Sequence, residues 1–426
     1  YHYSHIFINL ASPFQNDKLI FNQNIMYRKL LLVAAAAIST VAFAQPNDPH
    51  GPQGPKPEQP QLQFTTVKEM PITSVKNQAS TGTCWCFSTI SFLESEILRM
   101  GYKGDLDLSE MYVVSKAYQD KAEKYIRVDG NLNFEQGSSS GDVLTVIKQY
   151  GIVPDAVMPG LNYGEKRHMH SELCAGLKGY LSGIVKNPNR RLSTAWKNGF
   201  KGIVDAYLGE CPTEFNYNGK KYTPESYREE LKLNIDDYVA LTSFTHHPFY
   251  TQFALEVCDN WRWEPYYNVP IDELVQIMYN ALENGYTIAW ASDVSEKGFT
   301  RDGVGNNPDQ EAVEAAGSDQ ARWVGADPQQ KAQQALNVPE VVVTQASRQE
   351  GFDNKTTTDD HGMHIFGLAK DQFGKNYFMV KNSWGESGKY KGVWYVTESF
   401  VRATTLDILV HKNAIPKEIR KKLGIN

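Results

Sequence analysis

The chain has 426 residues, enough to bury a large hydrophobic core as one big domain or as two or three smaller ones. Its composition is that of an ordinary globular protein, with 41% hydrophobic and 22% charged residues. The formal net charge of −6 argues against nucleic acid as a main partner, because binding nucleic acid requires a basic surface.

The first 64 residues are expected to lie outside the folded domain. Residues 1–25 contain no Met and are interpreted as upstream sequence translated from a misplaced start. Residues 26–44 have the basic start, apolar stretch and small-residue end of a signal peptide, and the stretch is too short and alanine-rich for a membrane span. Residues 45–64, rich in Pro, Gln and Gly, predict a disordered leader. We therefore expect an exported protein, periplasmic or secreted, with no membrane span in the mature chain.

Residues 65–413 are expected to fold as one domain that is helical first and β-rich last. Apolar spacing predicts helices over 84–100, 108–125, 142–150 and 271–282. Alternation predicts strands over 286–291, 361–369, 376–381 and 392–397. The pattern is irregular over 164–251, and the polar segment 302–350 predicts a surface insertion. Helices followed by antiparallel strands indicate an α+β fold of two lobes with a cleft between them.

Cys84 is the candidate nucleophile. It begins the first predicted helix, where the positive end of the helix dipole is expected to lower the pKa of a thiol. A free cysteine is usually a small buried hydrophobe, and Cys86 is interpreted in that way. Cys84 is interpreted as a nucleophile and not as a buried hydrophobe, because Gln78 lies six residues upstream and Trp85 follows directly. The Gln78 amide and the Cys84 N–H would be two donors for a developing oxyanion.

Two histidines compete for the role of base. His361 and His364 point to opposite faces of a strand, so only one can face the cleft. His361 is favoured and His364 is interpreted as structural. Asn382 can then accept the imidazole N–H and orient the ring, and Trp384 can shield that bond from water.

No metal or organic cofactor is predicted. His168 and His170 lack a nearby third ligand and are expected to be solvated, and the same holds for His246 and His247. Five cysteines are too few for a disulfide scaffold of this size. A pair among Cys174, Cys211 and Cys258 can bridge in an oxidising compartment, but the sequence leaves the pairing open.

The order Gln78, Cys84, His361, Asn382 resembles the papain-like cysteine peptidases. The interval from Cys84 to His361 far exceeds the roughly 130–150 residues of simple papain-type enzymes. Thr81 stands where those enzymes carry a disulfide cysteine. Both departures resemble the bleomycin hydrolase and aminopeptidase C branch, and so do several short segments: Tyr150-Gly151-Ile152-Val153-Pro154, Leu208-Gly209-Glu210, Tyr227-Arg228-Glu229 and Trp384-Gly385-Glu386.

This resemblance implies a papain-like two-lobe fold with a large insertion, and a self-compartmentalising aminopeptidase that is often a hexamer. In that branch a C-terminal arm lies in the cleft and its carboxylate holds the substrate amine, so residues 414–426 would be the arm and Asn426 a substrate-binding residue. The tail looks shorter than the family's arm, and endopeptidase activity follows if it fails to reach Cys84. The branch's Gly-Gly stretch beside the cleft appears as Ser138-Ser139, which together with Trp384 would bind substrate. The usual branch is cytosolic, whereas this chain carries an export signal.

The sequence therefore predicts an exported thiol peptidase that trims peptides from the amino end. Cys84 would attack the carbonyl, His361 would carry the proton, Asn382 would orient the ring and Gln78 would bind the oxyanion. Two alternatives stay open: a papain-like endopeptidase, and a catalytically inactive protein that binds peptides.

Overall fold

The computed structural model describes residues 61–315 and 336–426. The predicted upstream segment, the signal peptide and nearly all of the predicted leader lie outside the described residues, and so does the middle of the predicted insertion. No helix in the described part of the chain is long and apolar enough to cross a membrane.

The front half of the domain is helical, as predicted. Its first three helices are α1 (Cys84–Arg99), α2 (Glu110–Arg127) and α3 (Ser140–Tyr150). Helix α3 has a reciprocal cap, in which the Ser139 hydroxyl accepts from the Asp142 N–H and the Asp142 carboxylate accepts from the Ser139 N–H. It ends at Gly151, whose φ of 77° is one that glycine adopts without strain.

The prediction of irregular structure over 164–251 is wrong for much of that segment. Helices α4 (Ser171–Val185) and α5 (Ala195–Leu208) lie there, followed by the hairpin β2 (Phe215–Tyr217) and β3 (Lys220–Tyr222) and the short helix α6 (Pro224–Glu230). Each of the two longer helices buries an apolar residue at every fourth position, along a single face. These residues are Leu173, Leu177 and Leu181 in α4 and Phe200, Val204 and Leu208 in α5. Five glycines within them lower the intrinsic helix propensity and conceal that spacing: Gly176, Gly179, Gly183, Gly199 and Gly202.

Ten strands of the described residues form one mixed sheet. In spatial order its strands are β5 (Gln252–Ala254), β6 (Pro265–Asn268), β4 (Tyr238–Thr242), β12 (Thr405–His411), β7 (Ile288–Ser292), β9 (His361–Asp371), β10 (Asn376–Lys381), β11 (Val393–Thr397) and β8 (Val304–Gly305), with β1 (Phe64–Glu69) paired to β9. The strands predicted near the C-terminus are confirmed. Two pairs, β4 with β6 and β8 with β11, are parallel and not antiparallel.

Two hydrophobic cores hold the helices to this sheet. Helices α1 to α6 share the first core, while α7 (Ile271–Glu283) and α10 (Glu398–Thr404) cover the other part of the sheet. Helix α1 packs against β9 at Gly362, where a Cβ atom would lie 2.7 Å from the Ser88 hydroxyl and 3.3 Å from the backbone of Cys84. The absence of a side chain at Gly362 therefore lets the start of α1 approach the strand.

The described ends of the predicted insertion belong to the folded body. The short helix α8 (Gln310–Ala315) follows β8, and α9 (Gln345–Asp353) buries Arg348, which donates to the carbonyl oxygens of Ser243 and Arg402. The tail also packs on the domain, because α11 (Lys417–Leu423) buries Ile419 and Leu423 in the core around α7.

Candidate active site

Cys84 is the first residue of α1, so its backbone N–H has no acceptor within the helix. The side chain is half-buried and lines a small cavity of about 30 Å³. His361 and Gly362 line the same cavity. The fold therefore brings the predicted nucleophile and the predicted base to one space from distant parts of the chain.

His361 is held by Asn382. Nε2 of His361 lies 2.8 Å from Oδ1 of Asn382, and the Ser383 N–H donates to the same Oδ1 at 2.7 Å. Because this atom of Asn382 accepts a hydrogen bond from a backbone N–H, it must be the amide oxygen. An oxygen can only accept from His361, so Nε2 of His361 carries the proton. Nδ1 of His361 is then left with a free lone pair.

Trp384 covers the histidine ring. The two rings stack with their centroids 4.8 Å apart and an interplanar angle of 28°. Trp384 is itself 38% exposed and lines an open cleft of about 520 Å³ with Phe299 and Trp394. It therefore separates the His361–Asn382 bond from the solvent of that cleft.

His364 lies elsewhere. It is completely buried against α1, where Nδ1 contacts the Ser91 hydroxyl at 2.9 Å. Burial holds the pKa of His364 well below its usual value. These contacts fit the structural interpretation of this residue.

The expected lowering of the thiol pKa is wrong for this structure. Burial raises the pKa of Cys84 to about 12, and the charges of Asp359 and Asp259 add to the effect. Burial also lowers the pKa of His361 to about 4. Both shifts favour the uncharged thiol and imidazole, because neither group is easily charged alone in a site that excludes water. Transfer of the proton from sulfur to Nδ1 would create the ion pair without changing the net charge.

Gln78 has a fixed orientation. Its Oε1 accepts from the Ser383 hydroxyl at 2.5 Å, and its Nε2 donates to the Thr81 carbonyl at 2.7 Å. Nε2 keeps a second N–H for another acceptor. Ser383 had no assigned role in the sequence, and its position beside Asn382 in Asn382-Ser383-Trp384 was the only available signal.

Ser138 and Ser139 line the cavity of Cys84, as their predicted role requires. Both are buried, and both hydroxyls donate to the carboxylate of Asp142. The indole N–H of Trp261 donates to Ser138 at 2.6 Å. The hydroxyl groups of Ser138 and Ser139 are therefore already engaged in hydrogen bonds to other side chains of the protein.

Asn426 is not brought to this site. The cavity is lined by residues between Cys84 and Asp407, whereas Ile425 packs against the core around α7 and Asn426 is exposed. The apolar face of α11 holds the tail there. The prediction that Asn426 contacts substrate is not supported by this arrangement.

The sequence reasoning missed the acidic residues of the cavity. Its lining includes four carboxylates: Asp259, Asp359, Asp360 and Asp407. Burial raises the pKa of Asp407 to about 7 and that of Asp360 to about 6. Asp359 and Asp360 directly precede His361, which was the one signal in the sequence. The other two carboxylates come from distant segments.

The structure also places the four histidines predicted to be solvated and all five cysteines. The prediction of solvated side chains is wrong for His170, which is fully buried, and His168 is half-buried. His246 and His247 each contact a carboxylate oxygen of Glu256 through Nε2, and these three side chains are close enough together to hold a metal ion. Both histidines are at least partly exposed. All five cysteines are free, which leaves no disulfide among Cys174, Cys211 and Cys258 in this structure.

The fold and the family of the chain agree with this site. The family described as Peptidase C1-like matches residues 53–309 and 329–425. The chain belongs to the Peptidase C1-like family and is a papain-like cysteine peptidase. The crystal structure of PepW from Lactobacillus rhamnosis HN001 has the same fold, with a TM-score of 0.63, 19% identity and 84% of each chain covered. The predicted α+β papain-like fold is thus confirmed.

Curated relatives point to one branch of these peptidases. Aminopeptidase G of Lactobacillus delbrueckii is 21% identical over 84% of this chain and 85% of its own length. Human bleomycin hydrolase is 23% identical over 81% of both chains. Aminopeptidase C of Listeria monocytogenes is 21% identical over 82% of this chain and 83% of its own length. The recognised similarity to the bleomycin hydrolase and aminopeptidase C branch is confirmed.

Proposed function

We propose that this peptidase removes residues from the amino end of peptides by means of Cys84, His361, Asn382 and Gln78. Two observations carry the proposal: His361 lines the same cavity as Cys84, and its Nε2 is bonded to Oδ1 of Asn382. That bond leaves Nδ1 of His361 as a base for the thiol. Relatives named aminopeptidase C and aminopeptidase G support action at the amino end.

The reaction follows from these groups. The Cys84 sulfur attacks the peptide carbonyl while its proton passes to Nδ1 of His361, and the carbonyl oxygen takes the negative charge. The Cys84 N–H and Gln78 Nε2 donate to that oxygen. The C–N bond then breaks, and His361 gives its proton to the leaving amine. Water, deprotonated by His361, finally hydrolyses the thioester and restores the thiol.

The first experiment compares peptides with a free or an acetylated amino end, with Cys84→Ala as the inactive control. We expect cleavage of the free peptide and little cleavage of the acetylated one. No turnover is expected in Cys84→Ala, whose thermal unfolding should be unchanged. Equal cleavage of both peptides would instead indicate the endopeptidase alternative, and turnover by Cys84→Ala would refute the assignment of the nucleophile.

Export and assembly are part of the proposal. The basic, apolar and small-residue pattern of residues 26–44 supports export. Fractionation of cells that express the chain with or without residues 26–44 tests it, and activity retained in the cytoplasm in both cases would contradict it. A hexamer is expected from the resemblance alone, and light scattering of the purified protein measures it.

A further inference from the structure

The cavity beside Cys84 is strongly acidic and contains a carboxylate without a partner. Asp407 is 5% exposed, and its Oδ1 is buried without a hydrogen-bond partner in the described residues. An ionised carboxylate in such a position is costly unless a donor or a cation reaches it. The unsatisfied oxygen therefore indicates a group that enters the cavity from outside the chain.

The other carboxylates of the cavity do not supply that partner. After burial, the groups that raise the pKa of Asp359 are Asp259, Asp407 and Asp360, all of them acidic. Asp360 is better satisfied, because it accepts the Val294 N–H at 2.9 Å. Lys121 acts on Asp259, whose pKa it lowers, and donates to the carbonyl oxygens of Glu135 and Gly137. Asp359 and Asp407 are thus left without a cation in the described residues.

The sheet register aims Asp407 towards the nucleophile. Asp407 pairs with Ala291 across β12 and β7, and Ala291 pairs with Gly362 across β7 and β9. Directly opposed residues of an antiparallel pair share one face of the sheet. Gly362 contacts the backbone of Cys84 on that face, and the small side chain of Ala291 leaves the space between them open.

The size of the cavity limits what can enter. About 30 Å³ holds one or two water-sized groups, which suits an ammonium group and not a four-carbon lysine side chain. The carboxylates line this cavity, whereas Trp384, which stacks on His361, lines a separate open cleft. A substrate with its amino end in the cavity would extend over Trp384 towards solvent.

We propose that Asp359 and Asp407 bind the α-ammonium group of the substrate and so confine cleavage to its amino end. This inference rests on the proposed function and names the group that supplies its specificity, in place of Asn426. The ammonium would lie between the two carboxylates and satisfy Oδ1 of Asp407. Asp259, which packs over the backbone of Gly137, would add negative charge behind them.

The test uses Asp359→Asn and Asp407→Asn, which keep the shape of each side chain and remove its charge. Asp272→Asn is the matched control, because the side chain of Asp272 is 84% exposed and lies outside the cavity. The quantity measured is the ratio of kcat/KM for alanyl-aminomethylcoumarin to that for its N-acetyl form. Titration of Cys84 with an epoxide inhibitor in a Cys258→Ser background counts folded sites, because the exposed Cys258 thiol would otherwise compete with the half-buried Cys84.

We expect the ratio to fall about 10- to 100-fold in both cavity variants, as the loss of a charged hydrogen bond predicts, with full titration and no change in the control. An unchanged ratio in both would overturn this inference but leave the proposed function intact. If the variants instead lose only a preference for lysyl over alanyl substrates, a side-chain ammonium occupies the cavity and the assignment is wrong. A parent enzyme that cleaves both forms equally would overturn the proposed function and this inference together.

Discussion

The Ser383 hydroxyl donates to Oε1 of Gln78 at 2.5 Å, and the adjacent Asn382 accepts from His361. Two neighbouring residues on one loop thus orient both the predicted oxyanion donor and the predicted base. The backbone N–H of Gln78 also donates to the backbone carbonyl of Ser383 at 2.8 Å, and this bond fixes the two segments to each other. Movement of this loop would disturb both groups at once.

Ser383→Ala should lower kcat about tenfold with little change in KM, because Gln78 loses the bond that aims its amide at the oxyanion. Steady-state kinetics on a free-amine substrate measures this. Ser387→Ala, an exposed serine in the same loop, is the control and should behave like the parent. A change in KM alone would mean that Ser383 acts on substrate binding and not through Gln78.

His361→Ala and His364→Gln form a matched pair on one strand. The first should reduce kcat about a thousandfold or more, because the base is lost, and should leave thermal stability nearly unchanged. The second should keep most activity and lower the unfolding free energy by about 1–3 kcal/mol, because the contact with Ser91 is buried. The reverse pattern would assign the base to His364.

Gly362→Ala should lower kcat about tenfold. The added methyl group meets the Ser88 hydroxyl at 2.7 Å and the Cys84 backbone at 3.3 Å, so the nucleophile must shift relative to β9. Ser88→Ala in the same protein should recover part of the loss. Gly176→Ala on α4, where a Cβ atom meets nothing within 4 Å, is the control and should be neutral. Full activity in Gly362→Ala would show that α1 can move away from β9 without lowering kcat.

Asp407→Asn should stabilise the protein at alkaline pH and not at acid pH. Burial raises the folded-state pKa of Asp407 to about 7, whereas an unfolded Asp titrates near 4. Between these values the folded state keeps a proton that the unfolded state releases, so the free energy of unfolding falls as pH rises from about 4 to 7.

An Asn at 407 has no proton to lose. The unfolding free energy of the variant should therefore exceed that of the parent by about 4 kcal/mol at pH 8 and match it near pH 4, as measured by thermal or urea unfolding. Asp359 and Tyr266, which face Asp407 across the cavity, are unchanged in both proteins. A constant difference at every pH would show that Asp407 does not titrate in this range.

The sequence by itself determined the fold class, the family and the identity of the candidate catalytic residues. The order of Gln78, Cys84, His361 and Asn382 along the chain was sufficient, because it resembles the motif order of the papain-like peptidases. Local patterns failed over α4 and α5, where glycines conceal a regular apolar spacing. The catalytic roles of Cys84, His361, Asn382 and Gln78 stay predictions until the variants are measured.

Only the tertiary structure decided what surrounds those residues. Asp407 reaches the cavity beside Asp359 because β12, β7 and β9 pair in one register, and a shift of one residue would turn Asp407 to the other face of the sheet. The tail packs on α7 because α11 has an apolar face that the core there accepts. Such contacts join segments far apart in the chain, and their geometry depends on the packing of the whole domain, which local sequence patterns do not encode.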